Sequence, residues 1–267
     1  MSVVSTIDKN KIRQSFASAA NTYDELAALQ RKVGLKLLQQ LSEQSQCQQV
    51  VDLGCGTGFL TQQLVERDYV KQIVAVDIAL AMLKRTQVKL ETANNVHYLC
   101  ADAEYLPLMD HSIEMIISNL ALQWCQNLTT VFKGFNQALK KEGKILFSTF
   151  GPNTLQELKK AWAAVDDYTH VNEFYSADEI EGFLSQSGFK DIKIVTQSYY
   201  SYYSSVIELM RELKGIGAHN VLSHRNRQTT RNTDMQAMIS GYEKNREKNG
   251  IPATYEILFV SASVIKE

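Results

Sequence analysis

The stretch VVDLGCGTGFL at residues 50–60 places Gly54, Gly56 and Gly58 at alternate positions, directly behind a valine pair and the acid Asp52. A loop without Cβ atoms lets the main chain approach a neighbour closely. Lying between a strand pattern and a helix pattern, it points to an open parallel sheet, whose ligands bind beyond the carboxyl ends of the strands.

The remaining sequence keeps the same alternation. Two N-terminal helices are expected. One spans Asp8–Ala20, with Ile12 and Phe16 a turn apart; the other spans Glu25–Leu41, with Leu26, Leu29, Val33, Leu37 and Leu41 on one stripe. The polar NTYDE segment links them. Strands follow at 49–53, 72–77, 96–100, 113–118 and 144–150, with helices at 58–67, 80–92, Leu128–Lys140 and 154–165 and a turn at KKEGK. Strands separated by helices imply crossover connections and a parallel sheet. Ser176 and Glu179 have capping-box spacing for a helix ending near Gly188. DIKIVTQSYYSYY then alternates like a strand, its YYSYY run at 199–203 reading as strand packing with exposed hydroxyls, and TYEILFVSASVI closes the sheet at the C-terminus. Residues 204–252 read as a helical cap inserted before that last strand, and residues 1–45 as an N-terminal helical lid.

A chain of 267 residues, 45% hydrophobic, suffices for a single domain over 1–267. Its formal net charge of −1 supplies no global field for nucleic acid, so a charged partner must meet a local patch. The N-terminus lacks a signal-length apolar core, and no stretch reaches the ~18 apolar residues of a membrane span. A cytoplasmic protein without membrane or nucleic-acid partners is expected. Cys47, Cys55, Cys100 and Cys125 are too scattered for zinc spacing, which favours reduced, mostly buried thiols and no metal. Cys55 in the glycine loop reads as packing rather than catalysis.

The loop pattern Asp-x-Gly-x-Gly-x-Gly differs from the dinucleotide Gly-x-Gly-x-x-Gly. A carboxylate at Asp52 would repel a phosphate but suits an ammonium group. The next strand, IVAVD, also ends in an acid, Asp77, and the third leads into CADAEYLPL with Asp102 and Ala103. One acid at a strand end is equally a helix N-cap; three at successive strand ends beside a glycine loop form a pattern.

VDLGCGTG followed by IVAVD resembles the first motifs of class I S-adenosylmethionine-dependent methyltransferases. That resemblance implies an α/β, Rossmann-like, mostly parallel seven-stranded sheet with helices on both faces. It also implies that Asp77 accepts the ribose hydroxyls, that Asp102 and Ala103 meet the adenine, and that Asn119 and Leu120 of ISNLALQW lie at the mouth of the site. The same resemblance extends the cofactor set to Cys55, Ile78, Met82 and Glu104. Tyr23 and Gln30 are placed to close the N-terminal helices over the cofactor.

KIRQSFASAANTYDELAALQ, SNLALQWC, FSTFGPNTLQEL and LKGIGAHN resemble the malonyl-[acyl-carrier protein] O-methyltransferases of biotin synthesis over nearly the whole chain. One departure is KKEGK, where the family has a proline-glycine turn. The resemblance implies methylation of the free carboxylate of a malonyl thioester, on acyl carrier protein or coenzyme A, for pimeloyl and biotin synthesis. A carboxylate with a reference pKa of about four is already anionic at neutral pH and needs no general base. It needs positioning.

From Leu213 to Thr233 the cap carries Lys214, Arg225, Arg227 and Arg231 with His219 and His224, and no Asp or Glu. Such a patch either steers an acidic carrier protein or is a solvated helix face. Lys214, His219, Asn220, Arg225 and Arg231 are the positioning candidates, and Arg227, Trp124, Phe150 and Tyr175 the candidates for acceptor binding. Two other readings remain: a methyltransferase acting on a small acid or quinone-like ring, and a respiratory-complex assembly factor of the same family.

Overall fold

The computed structural model describes residues 8–41, 47–67, 70–218 and 231–264. Three helices come first, α1 (Lys9–Ala19), α2 (Tyr23–Leu26) and α3 (Ala28–Leu38). Then β1 (Cys47–Leu53), α4 (Phe59–Glu66), β2 (Val70–Asp77), α5 (Leu80–Lys89), β3 (Val96–Cys100) and β4 (Ile113–Asn119) follow in order. The second half contains α6 (Leu128–Ala138), β5 (Leu139–Phe150), α7 (Gln156–Ala163), α8 (Ala177–Gln186), β6 (Phe189–Tyr203), α9 (Val206–Gly215), α10 (Asn232–Glu243) and β7 (Ile251–Val264).

The seven strands form one sheet in the order β3-β2-β1-β4-β5-β7-β6. Neighbours from β3 through β5 pair parallel, whereas β7 runs antiparallel to both β5 and β6. The sequence places the last strand correctly, but it enters between two strands and leaves β6 as the edge. Since β1 lies between β2 and β4, the sheet grows one way from β1 and then the other, and the crevice at that reversal is where ligands bind in such folds.

Successive residues of a strand face opposite sides, so a strand covered on both faces must be apolar throughout. Val50, Val51 and Leu53 are buried as that requires, and Asp52, buried among them, is the exception that marks the strand's end. Val50, Ile73, Ala75, Met115 and Ile117 pack on one face with residues of α3 and α4, while Val51, Leu53, Val76, Ile116 and Phe147 pack on the other with α6 and α8. On that second face Phe132 meets Phe135, Phe147 and Phe189 at ring separations of 6.0, 5.7 and 6.4 Å. Each such ring contributes about 1.5–3 kcal/mol by burial.

Three local differences from the sequence reading have physical causes. The helix expected over Glu25–Leu41 breaks at Ala27, whose ψ of 39° leaves the helical region. Tertiary bonds hold the break: Asp24 accepts from Thr57 of the glycine loop and from Lys89 of α5, and its carbonyl accepts from Arg31. At KKEGK the turn is absorbed into β5, where Glu142 takes φ 60° and the pairing with β4 shifts register between Ile113 and Met115. The edge strand likewise starts at Phe189, two residues early, with a register shift between Lys190 and Lys193. The Ser176–Glu179 capping box is present as expected.

Candidate active site

The glycine loop links β1 to α4 and stacks directly on the end of β2. The N–H groups of Gly54 and Cys55 both donate to the Val76 carbonyl, at 2.8 and 2.9 Å. Its three glycines are bare for different reasons. All three have positive φ, of 70°, 57° and 83°. A Cβ on Gly54 would sit 2.3 Å from the Ala121 Cβ, and one on Gly58 would lie 2.6 Å from the Thr86 Cγ2, so protein atoms fill both spaces. A Cβ on Gly56 would meet nothing nearer than the Tyr23 Cε1 at 3.9 Å. Only Gly56 turns its bare face to open space.

Asp77, at the end of β2, accepts from the Gly56 N–H at 2.9 Å through Oδ2 and from the Ala79 N–H at 2.8 Å through Oδ1. Burial raises its carboxyl to about 6 in spite of those donors. Asp52, at 1% exposure, accepts from the Thr61 hydroxyl at 2.5 Å. Burial lifts it to about 7, with Thr61 opposing and Asp77 adding to the rise. Two acids held close to neutrality beside a crevice are a site signature, since a positive or hydrogen-bonding ligand favours their ionised forms.

Beyond β3, Asp102 caps the short turn Ala103–Tyr105 by accepting from the Glu104 N–H at 3.1 Å, so the N-cap reading is also true of it. Lys9 of α1 reaches both acids, 2.9 Å from Asp102 and 3.0 Å from Glu104. Burial works against the Lys9 ammonium, but Cys125, Asp102 and Glu104 outweigh it and hold the group above the usual lysine value. This tie was not legible in the sequence: nothing local links residue 9 to residue 102. At the end of β4, the Asn119 amide donates to the Gln30 carbonyl at 2.9 Å and accepts from the Ser148 hydroxyl at 2.8 Å. Leu120 follows with φ 51°, a strained conformation for a branched residue, its N–H donating to the Ser148 carbonyl at 3.0 Å.

Three cavities adjoin these strand ends. The first, of about 700 Å³, is lined by Gly54, Gly56, Asp77, Ile78, Met82 and Asp102, with Lys9, Ala103, Asn119 and Leu120 also on its wall. The second, of about 830 Å³, is largely apolar, with Trp124, Phe150, Phe174, His170, Glu212 and Tyr255 among its lining residues. A smaller one holds Asp52, Cys55, Gln30 and Arg31. Tyr23 lines all three, while Phe16, Leu120 and Trp124 separate the two large ones. Phe16 and Trp124 meet edge to face at 5.5 Å. Burial, then Asp77 and Asp24, hold the Tyr23 hydroxyl protonated, well above the usual tyrosine value.

Residues 51–147 match the family model of a methyltransferase domain. Over 260 residues the chain is 36% identical to a malonyl-[acyl-carrier protein] O-methyltransferase of Gallionella capsiferriformans (strain ES-2), with 95% of this chain and 90% of that relative covered. The chain belongs to the malonyl-[acyl-carrier protein] O-methyltransferase family. Another relative, the biotin biosynthesis bifunctional protein BioHC of Cellvibrio japonicus (strain Ueda107), is 37% identical over 258 residues. The alignment takes in 97% of this chain and 51% of BioHC, so this chain spans about half the length of that relative. Among solved structures, the YcgJ protein of Bacillus subtilis superposes with a TM-score of 0.61 at 14% identity, covering 88% of this chain and 98% of that one, which shows a shared fold.

Against that family background, the residues expected at the cofactor fall largely together. Gly58 stands apart as the left-handed N-cap of α4 packed on Thr86, and Glu104 is engaged by Lys9 and by the Gln126 N–H rather than lining a cavity. The acceptor candidates divide. Trp124 and Phe150 line the second cavity, whereas Tyr175 packs edge-on against Phe183 at 5.0 Å on the other side of the chain, and its neighbour Phe174 faces the cavity instead. An extended segment alternates its faces, so a one-residue offset exchanges lining for packing. Lys214, in the last turn of α9, and Arg231, at the N-cap of α10, are exposed and line none of the three cavities. His219, Asn220, Arg225 and Arg227 lie outside the described residues. Of the four cysteines, Cys55 and Cys125 are buried, Cys47 is partly so and Cys100 is exposed. Among the described residues no helix is long and apolar enough to cross a membrane.

Proposed function

We propose that this chain is an S-adenosylmethionine-dependent O-methyltransferase that esterifies the free carboxylate of a malonyl thioester on acyl carrier protein, for pimeloyl and biotin synthesis. The observation that carries the reading is the junction at Tyr23, Phe16, Leu120 and Trp124, where the cavity lined by the glycine loop and the strand-end acids Asp77 and Asp102 shares one wall with a second cavity ringed by aromatic side chains. When bound, the cofactor supplies an activated methyl group on a sulfonium centre.

The residues fit that cofactor. Gly56 leaves its Cβ direction open, Asp77 lines the crevice with each oxygen held by a backbone N–H, and the buried acid Asp52 is suited to an ammonium. Asp77 accepts the ribose hydroxyls, Asp102 and Ala103 meet the adenine edge, Ile78 and Met82 pack against the base, and Asp52 with Gln30 and Asn119 surrounds the methionyl end. The N-terminal helices serve as the lid, with Lys9 anchoring α1 to the β3 end and α9 resting on it where the Thr22 hydroxyl donates to the Gly215 carbonyl at 3.4 Å.

No general base is required, because the nucleophile arrives ionised. What the chain contributes is alignment and exclusion of water, and Phe16, Trp124 and Leu120 provide both at the shared wall. The test is intact-mass spectrometry of malonyl-carrier protein after incubation with enzyme and S-adenosylmethionine. One added methyl is expected. An unchanged mass, under conditions where calorimetry shows the cofactor bound, overturns the reading. Running malonyl-coenzyme A in parallel decides whether the thioester arm alone suffices.

A further inference from the structure

Under the reading above, an anionic acyl group enters a cavity with largely apolar walls. A carboxylate taken from water into such surroundings needs a positive partner or a full set of donors. Among the described residues lining the second cavity, His170 alone has a side chain that can carry positive charge. The only acid among the described residues of that lining, Glu212, accepts from the Tyr203 hydroxyl at 2.8 Å, and burial raises its carboxyl against that bond. One wall therefore discourages an incoming carboxylate. The wall carrying His170 admits one.

The His170 ring is held firmly. It stacks on Trp162 with centroids 3.7 Å apart and planes 8° from parallel. Its Nε2 lies 2.8 and 3.0 Å from the two oxygens of Asp166, four residues back in sequence. That engages one ring nitrogen and leaves Nδ1 without a partner among the described residues. With Nε2 turned to Asp166, Nδ1 is the ring atom left to bond a ligand. The other titratable groups facing this cavity are Glu212 on α9 and the hydroxyls of Tyr23 and Tyr255.

We infer that His170, fixed by Asp166 and Trp162, is a positioning residue that pairs with the carboxylate of the acyl group and so distinguishes the acid substrate from its methyl ester. Esterification removes the negative charge, and the contact that held the substrate no longer holds the product. Release of the ester follows from the same residue that admits the acid. This rests on the carboxyl-methylation reading.

The test is a binding comparison that needs no turnover. Malonyl-N-acetylcysteamine and its methyl ester are titrated calorimetrically into enzyme saturated with S-adenosylhomocysteine. The wild-type protein is expected to prefer the acid about tenfold, the worth of one charge-assisted hydrogen bond. His170→Phe, which preserves stacking on Trp162, is expected to bring that preference below about twofold while leaving S-adenosylhomocysteine affinity unchanged. Asp166→Asn is expected to lower the preference partially. A wild-type enzyme indifferent to acid and ester overturns the inference, whatever the variants do, as does a full preference in His170→Phe. If malonyl-carrier protein gains a methyl group in the mass assay and the preference still survives His170→Phe, only this inference fails. If the wild type never methylates it, the functional reading fails independently.

Discussion

The cavity at the glycine loop, proposed for the cofactor, and the aromatic cavity proposed for the acceptor share a wall but are built differently. The first is assembled from consecutive strand ends, with Asp77 fixed by two backbone N–H donors and the glycine loop hydrogen-bonded to Val76. The second is assembled from side chains far apart in sequence, from Phe16 in α1 to Tyr255 in β7, with Phe150, His170, Phe174 and Leu213 between. Backbone geometry dictated by a short motif tolerates little change in residue type. A cavity made of side chains from many segments is remodelled by single substitutions, which is how one fold takes many acceptors.

The largest effect expected on that contrast lies within the glycine loop itself. Gly54→Ala drives a Cβ into Ala121 at positive φ and should cost about 3 kcal/mol or more, read as a lowered melting temperature. Gly56→Ala meets no such clash, so it should lose only about 1–2 kcal/mol, the cost of a left-handed alanine, together with cofactor affinity. Equal melting losses for the two would break the distinction between protein-filled and ligand-facing glycines.

The pH dependence comes next. If the cofactor is held by Asp77 and Asp52 as proposed, it favours their ionised forms, whose values are about 6 and about 7, so its binding releases protons and its affinity rises with pH through that window. About a tenfold or greater gain between pH 5.5 and 8 is expected by calorimetry, and Asp77→Asn should flatten the lower part of the rise. Stability of the ligand-free protein runs the other way. Both folded values exceed the usual aspartate value, so the folded state holds more protons than the unfolded one, and stability falls as pH rises from about 4 to 7.

On the acceptor side, Phe174→Ala should raise the KM for the acyl thioester about tenfold with unchanged cofactor affinity, and Tyr175→Ala should alter stability alone. The reverse outcome would restore Tyr175 to the cavity. The smallest effect is expected at Lys9→Ala, about a threefold loss of cofactor affinity, because its pairs with Asp102 and Glu104 are only partly buried.

This contrast also explains what the sequence could reveal. Strand and helix order, the glycine loop and the acids Asp52, Asp77 and Asp102 are encoded locally, by period and by spacing, and the seven-stranded sheet followed from them. The break at Ala27 was hidden because the apolar stripe runs straight through it; Asp24 bonding to Thr57 and Lys89 decides the conformation from outside the helix. Lys9 and His170 were hidden for the same reason, since their meaning depends on Asp102 and Trp162, which only folding brings near. Phe174 against Tyr175 shows the finest limit: composition marks an aromatic pair, and only backbone direction says which ring faces inward.

Tyr23 and Phe16 belong to a single stretch of chain that borders both large chambers. Any shift of that stretch made by one ligand is met by the other, and thermodynamic reciprocity then makes the effect of each on the other's affinity the same factor.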